Sequence, residues 1–336
     1  MKHLRGAAAG GCGPVAFLAA AFLAALIPLG TRAAPEAQAV PESGPIAAAT
    51  LQRLLLLGAA RAGDRIVAVG DRGTIVYSDD RGGHWLRAKA PAAPLLTAVD
   101  FADAQHGLAV GHDAVILATS DRGETWTQVF AAPTEQKPLL DVLWLGPGRA
   151  LAVGAYGACY ESGDGGRTWA ARKVIEDDKH LNALVNAGDG HLVILGEAGT
   201  IVVSPDAGRS WALVPSPYKG SLFGGVVAAD GSVIGFGLRG HLVRSADRGA
   251  TWKSVEGSPG TAALMGGDKL ADGALVLAGA AGTVLVSRDN GATFTRVAAG
   301  TTRAFSRPLA TGTGGVLLFG ETGARLLELP AAGGSK

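Results

Sequence analysis

The segment Gly154-Ala155-Tyr156-Gly157-Ala158-Cys159-Tyr160-Glu161-Ser162-Gly163-Asp164-Gly165-Gly166-Arg167-Thr168-Trp169 sets a pattern that the rest of the chain repeats. An apolar run ends in a glycine at Gly70, Gly111, Gly154, Gly196, Gly237, Gly279 and Gly320, at intervals of 41, 43, 42, 41, 42 and 41 residues. A second glycine usually follows three positions on, and Ala114 replaces it once. Fifteen residues after each of the first six glycines stands an aromatic: Trp85, Trp126, Trp169, Trp211, Trp252 or Phe294. Before each aromatic the chain reads Ser/Thr-x-Asp-x-Gly-x-x, with the acid at Asp80, Asp121, Asp164, Asp206, Asp247 and Asp289.

Each copy has a physical reading. Two short apolar runs joined by a tight glycine turn make a β-hairpin. The Ser-x-Asp-x-Gly loop follows, with a buried aspartate expected to accept backbone N–H bonds and glycine expected to supply positive φ. The aromatic then packs the next strand, and one further apolar stretch, such as 95–101, separates the copies. Four strands in about 42 residues is the size of a propeller blade. Seven copies predict an all-β, seven-bladed propeller with four-stranded antiparallel blades. The last copy lacks the loop and its aromatic, so a strand from the N-terminal side, around Pro45–Thr50, is expected to close the last blade and remove an open edge.

Composition fits this reading. Of 336 residues 48% are hydrophobic, enough for a core, and 51 are glycine, which argues for a chain that turns often. Lys and Arg number 30 against 29 acids, which argues against a nucleic-acid binder. Lys2, His3 and Arg5, an apolar stretch over Val15–Leu29 and small residues at Ala37 and Ala39 have the layout of a secretory signal. The expected organisation is a signal peptide and cleavage region over 1–39, the propeller over 40–330 and a tail over 331–336. The product is expected to be exported, periplasmic or in the cell envelope, monomeric, and without a membrane span in the mature chain. Cys12 and Cys159 cannot build a disulfide framework, and Cys159 reads as a small buried hydrophobe.

The repeated Ser-x-Asp-x-Gly-x-Thr-Trp unit resembles the Asp box, or BNR repeat, found in sialidases, other glycosidases and non-enzymatic propellers. The cadence of His106-Gly107-Leu108-Ala109-Val110-Gly111 and Gly196-Glu197-Ala198-Gly199-Thr200 resembles the photosystem II stability/assembly-factor family over about residues 50–330. Asp177–Asn182, Ser216–Phe223 and Gly237–His241 are similar to an exported bacterial branch. That resemblance implies a seven-bladed scaffold serving a membrane protein complex, possibly a transporter of the resistance–nodulation–division type.

An enzyme would need more than the repeat supplies. Sialidase chemistry needs an arginine triad and a tyrosine nucleophile, yet of Tyr77, Tyr156, Tyr160 and Tyr218 two fall in repeat strands. The repeated aspartates are committed to turns. A pair of facing carboxylates from different blades, as a glycosidase uses, leaves no spacing in sequence. The histidines are scattered, and no catalytic residue, metal ligand or cofactor motif is assigned. A binding scaffold is therefore expected, with an exported glycosidase or a carbohydrate-binding propeller as the alternative. The repeated loops fall on one face of the disc. The glycine turns and the crossovers between blades fall on the other and vary more, so that face is the expected partner surface. Its candidates are His180, Tyr218 and Arg239, with Arg72, Tyr156, Asp178, Lys179, Glu197 and Lys219 beside them.

Overall fold

The computed structural model describes residues 43–330 apart from 92 and 313. The proposed signal region and the tail from residue 331 lie outside the described residues. Seven antiparallel sheets follow one another along the chain, with strands running in chain order from inner to outer apart from one N-terminal strand added to the first. Blade 3 is typical: Leu139–Gly146, Arg149–Gly154, Cys159–Ser162 and Ala170–Ala171.

The seven run-ending glycines have extended backbones, so positive φ does not explain them. A Cβ on Gly154 would lie 2.1 Å from the Pro138 carbonyl oxygen, and one on Gly70 1.9 Å from that of Leu55. The crossover entering each blade lies against this glycine and accepts the next N–H, as from Ala155 to Pro138 at 2.9 Å. Turn and crossover thus share one face.

On the opposite face the repeated loop has one geometry. Gly166 N–H donates to Ser162 Oγ at 2.9 Å, and Ser162 Oγ–H donates to Asp164 Oδ1 at 2.9 Å. Thr168 gives its N–H and hydroxyl to the two carboxylate oxygens at 2.9 and 2.6 Å, while Trp169 Nε1–H donates to Gly166 O at 3.1 Å. The buried member is the hydroxyl residue, not the acid. Ser78, Ser204 and Ser245 are fully buried, whereas all six aspartates reach solvent. The expectation of a buried aspartate is corrected accordingly: the loop turns its carboxylate outward, toward the exposed N–H groups of the following residues. The aromatics are buried to different extents. Trp85, Trp126, Trp252 and Phe294 are buried, but Trp169 and Trp211 are only half-buried.

Polar clasps join blade to blade. Thr97 Oγ1–H donates to Leu139 O at 2.8 Å, Asn182 Nδ2–H to Leu222 O at 2.8 Å, and Ser306 Oγ–H to Leu56 O at 2.7 Å, the last across the seam between blades 7 and 1. Nearer the loop face, Arg65 forks onto Asp79 at 2.7 and 2.8 Å and reaches Glu124 and Arg122 O in blade 2. Arg149 likewise pairs with Glu161 and donates to Ala207 O at 3.0 Å.

The N-terminal strand does help close the ring, at a different sheet edge from the one expected. Gly44–Ile46 pairs with Trp85–Arg87 and becomes a fifth strand of blade 1, while Ala48–Leu51 is a helical turn. Blade 7 keeps three strands among the described residues: Phe305–Ala310, Gly315–Gly320 and Gly323–Glu328. The reason lies in an apolar cluster astride the seam. Leu51, Ile46 and Leu54 pack with Trp85, Leu317 and Phe319, and Leu54 O accepts Gly323 N–H at 2.9 Å.

Candidate functional site

The crossover face is built from the glycine turns. In blades 1 to 6 each turn is a single 3-10 turn whose central residue is left-handed, at φ 53 for Arg72, 55 for Tyr156 and 57 for Arg239. A non-glycine residue there costs roughly 1 kcal/mol, and the same conformation recurs at Ala198 and Ala281. The turn therefore fixes the backbone and leaves the side chain free to vary. Arg72, Tyr156 and Arg239 are all exposed.

Around these turns the candidates fall into two groups. In the first, Tyr156 meets His180 edge-on with ring centroids 4.9 Å apart. His180 N–H donates to Glu197 Oε2 at 3.1 Å, and Lys179 O accepts Gly157 N–H at 2.8 Å. Lys179 also pairs with Asp177 at 3.1 Å, and Asp178 is exposed beside it. In the second group Tyr218 stacks on His241 at 4.2 Å, and its hydroxyl donates to Leu238 O at 3.0 Å, which braces the turn that carries Arg239. Lys219 is exposed next to it. The structure thus gives His180 and Tyr218 separate ring partners. The roles of His241 and Leu238 were not read from sequence, and the only available signal was their place beside a varying turn.

A channel of about 200 Å³ runs between the inner strands. Leu57, Leu140, Phe223 and Met265 stand one residue into their strands from the crossover side, so they line its mouth on that face. Asp100, Asp141 and Arg307 also line it. Asp100 Oδ2 accepts Trp144 N–H from blade 3 at 2.9 Å, and Asp141 Oδ2 accepts Leu184 N–H from blade 4 at 2.8 Å. Both carboxyls lie deep in the disc, though solvent reaches them through the channel. Burial raises both, Asp141 to about 6, against the pull of those N–H bonds and of Arg307. The Cys159 thiol is pushed up by burial to about 12, so it is not a nucleophile at neutral pH. Among the described residues no three His, Cys, Asp or Glu side chains gather as metal ligands, and no helix is long and apolar enough to cross a membrane.

No family model matches the chain. It is 32% identical over 122 residues to the photosystem II assembly protein Ycf48 of Synechococcus sp. strain JA-2-3B'a(2-13), covering 35% of each chain. It is 31% identical over 108 residues to the photosystem II assembly lipoprotein Ycf48 of Synechococcus sp. strain CC9902, or 31% of this chain and 32% of that one. These matches span about a third of the curated relatives' length. In fold, a structure of Ycf48 bound to a D1 peptide superposes with a TM-score of 0.68 at 20% identity, over 88% of this chain and 97% of that one. The xyloglucanase of Xanthomonas campestris superposes at 0.65 with 15% identity, over 85% of this chain and 53% of that one. In a third of its sequence and in nearly all of its fold, the chain is similar to the photosystem II assembly proteins named Ycf48.

Proposed function

We propose that this protein is a non-enzymatic exported propeller scaffold that aids assembly or stability of an envelope membrane complex, docking through its crossover face. One observation carries the reading. Five large apolar side chains are exposed among the described residues: Tyr156, Leu213, Leu238, Met265 and Leu326. Three of them, Tyr156, Leu238 and Met265, stand on the turns of blades 3 and 5 and at the channel mouth on that face. Exposed apolar groups on one face, which also carries the exposed Arg239 and Lys219, are the makings of a protein contact. Similarity to proteins named for assembling photosystem II supports the scaffold class, and a Ycf48 structure bound to a D1 peptide supports a membrane protein as partner. The resemblance to the exported bacterial branch extends the candidates to a transporter of the resistance–nodulation–division type.

Affinity purification from solubilised membranes tests this, comparing wild type with a Tyr156→Ser, Leu238→Ser, Arg239→Ser variant. The scaffold reading expects a reproducible membrane partner that the variant loses at unchanged melting temperature. Recovery of the same partner by both proteins would reject the face.

The second reading is an exported glycosidase. Its supporting observation is the channel itself, where Asp100 and Asp141 are both raised by burial, beside a fold shared with a xyloglucanase. Both carboxylates are already engaged by backbone N–H groups. Release of sugar from a glycoside, abolished by Asp141→Asn, would favour this reading over the scaffold.

A further inference from the structure

Blades 1 to 6 cover their third strand with a fourth, and blade 7, among the described residues, does not. Its third strand, Gly323–Glu328, pairs with Gly315–Gly320 from the Gly320–Gly323 pair onward. Antiparallel alternation then turns the N–H and C=O groups of Ala324, Leu326 and Glu328 outward, toward the rim. Leu326 is 52% exposed. A groove of about 540 Å³ runs beside the strand, lined by Gln52, Thr301, Thr322, Ala324, Arg325 and Leu326.

One residue tells what fits there. Two positions after the first ladder pair, blades 1 to 6 have Val76, Leu117, Tyr160, Val202, Val243 and Leu285, none more than 5% exposed. The equivalent position of blade 7 is Arg325, which is exposed and has no ion-pair partner among the described residues. A guanidinium at this inward-facing site disfavours a second copy of the same strand, because antiparallel self-pairing would set Arg325 against Arg325 or Leu327. It favours a strand with an acid.

We propose that blade 7 is completed in trans by an extended segment of a partner protein. The segment adds antiparallel to Gly323–Glu328, with a carboxylate opposite Arg325 and an apolar side chain against Leu326. Main-chain bonds along the open edge supply affinity, and the Arg325 pair supplies selectivity. This site is on the rim and independent of the crossover face.

The test uses the full chain and a short peptide that alternates valine with threonine around one central glutamate, beside its lysine counterpart. Fluorescence anisotropy should show saturable binding of the glutamate peptide and binding about tenfold weaker for the lysine peptide. Arg325→Glu should reverse that preference. Hydrogen exchange by NMR should slow at the Leu326 and Glu328 amides when the glutamate peptide binds. Equal binding of the two peptides to wild type, no binding of either, protection at other amides, or amides of Leu326 and Glu328 already protected in the free protein would each overturn the proposal.

Discussion

Asp141 and the loop aspartates respond to pH in opposite senses. Burial raises the Asp141 carboxyl to about 6 in the folded chain. Its stabilising contribution is therefore complete below the unfolded value of about 3.9 and is lost as pH rises through about 6. Allowing for solvent in the channel, the loss is about 1–2 kcal/mol. Asp80 and Asp164 are held at about 2, Asp80 first by the His84 backbone N–H and Asp164 first by the Thr168 hydroxyl. Their contribution is present above the unfolded value and lost as pH falls through about 2. Thermal melts are therefore expected to peak near about pH 4–5. In Asp141→Asn the decline above that peak should flatten. The repeated aspartates were legible in sequence because their spacing is fixed. Asp100 and Asp141 were not, since they stand at different places in their inner strands, fifth in Leu96–Phe101 and third in Leu139–Gly146, and so do not repeat with the period.

At the scale of the element, adjacent glycines separate backbone strain from packing. Gly165 has φ +81 and open space where a Cβ would go, while Gly166 has φ +80 and would bring a Cβ within 2.9 Å of Leu108 in blade 2. Gly165→Ala should cost about 1 kcal/mol from backbone strain alone. Gly166→Ala should cost roughly 1–3 kcal/mol more because it overpacks the seam between blades. Urea melts of the two variants measure the difference, and equal costs would mean that the loop does not brace the neighbouring blade. Ser204→Ala should cost about 1–3 kcal/mol, since it strands the buried Gly208 N–H that donates to Ser204 Oγ at 2.7 Å. The hairpins, loops and aromatics could all be read from a period near 42. The arginine clasps could not, because Arg65 and Arg149 share a place in their blades while Arg244 reaches the next blade's loop, at Asn290 O, from a different strand.

For the whole molecule, the seam between blades 7 and 1 is where sequence and structure part. A repeat with no outer strand signalled a gap, and an N-terminal strand was the natural filler. A strand of three residues has no period to choose its partner, and the apolar contacts of Leu51 and Ile46 set it on blade 1 instead. Leu51→Ala removes a side chain buried between those blades and should cost about 2–4 kcal/mol in the global melt. A local loss, with Gly323–Glu328 exchanging faster and the global melt unchanged, would mean that the seam is not part of the cooperative unit. Docking through the crossover face, as proposed above, can be tested by hydrogen exchange of the protein free and bound to whichever membrane protein the affinity purification recovers. Slowed exchange is expected at the turns Ala155–Gly157 and Leu238–Gly240 and at the crossovers that carry His180 and Tyr218. Slowed exchange at the six Ser-x-Asp-x-Gly loops, with the turns unchanged, would contradict it.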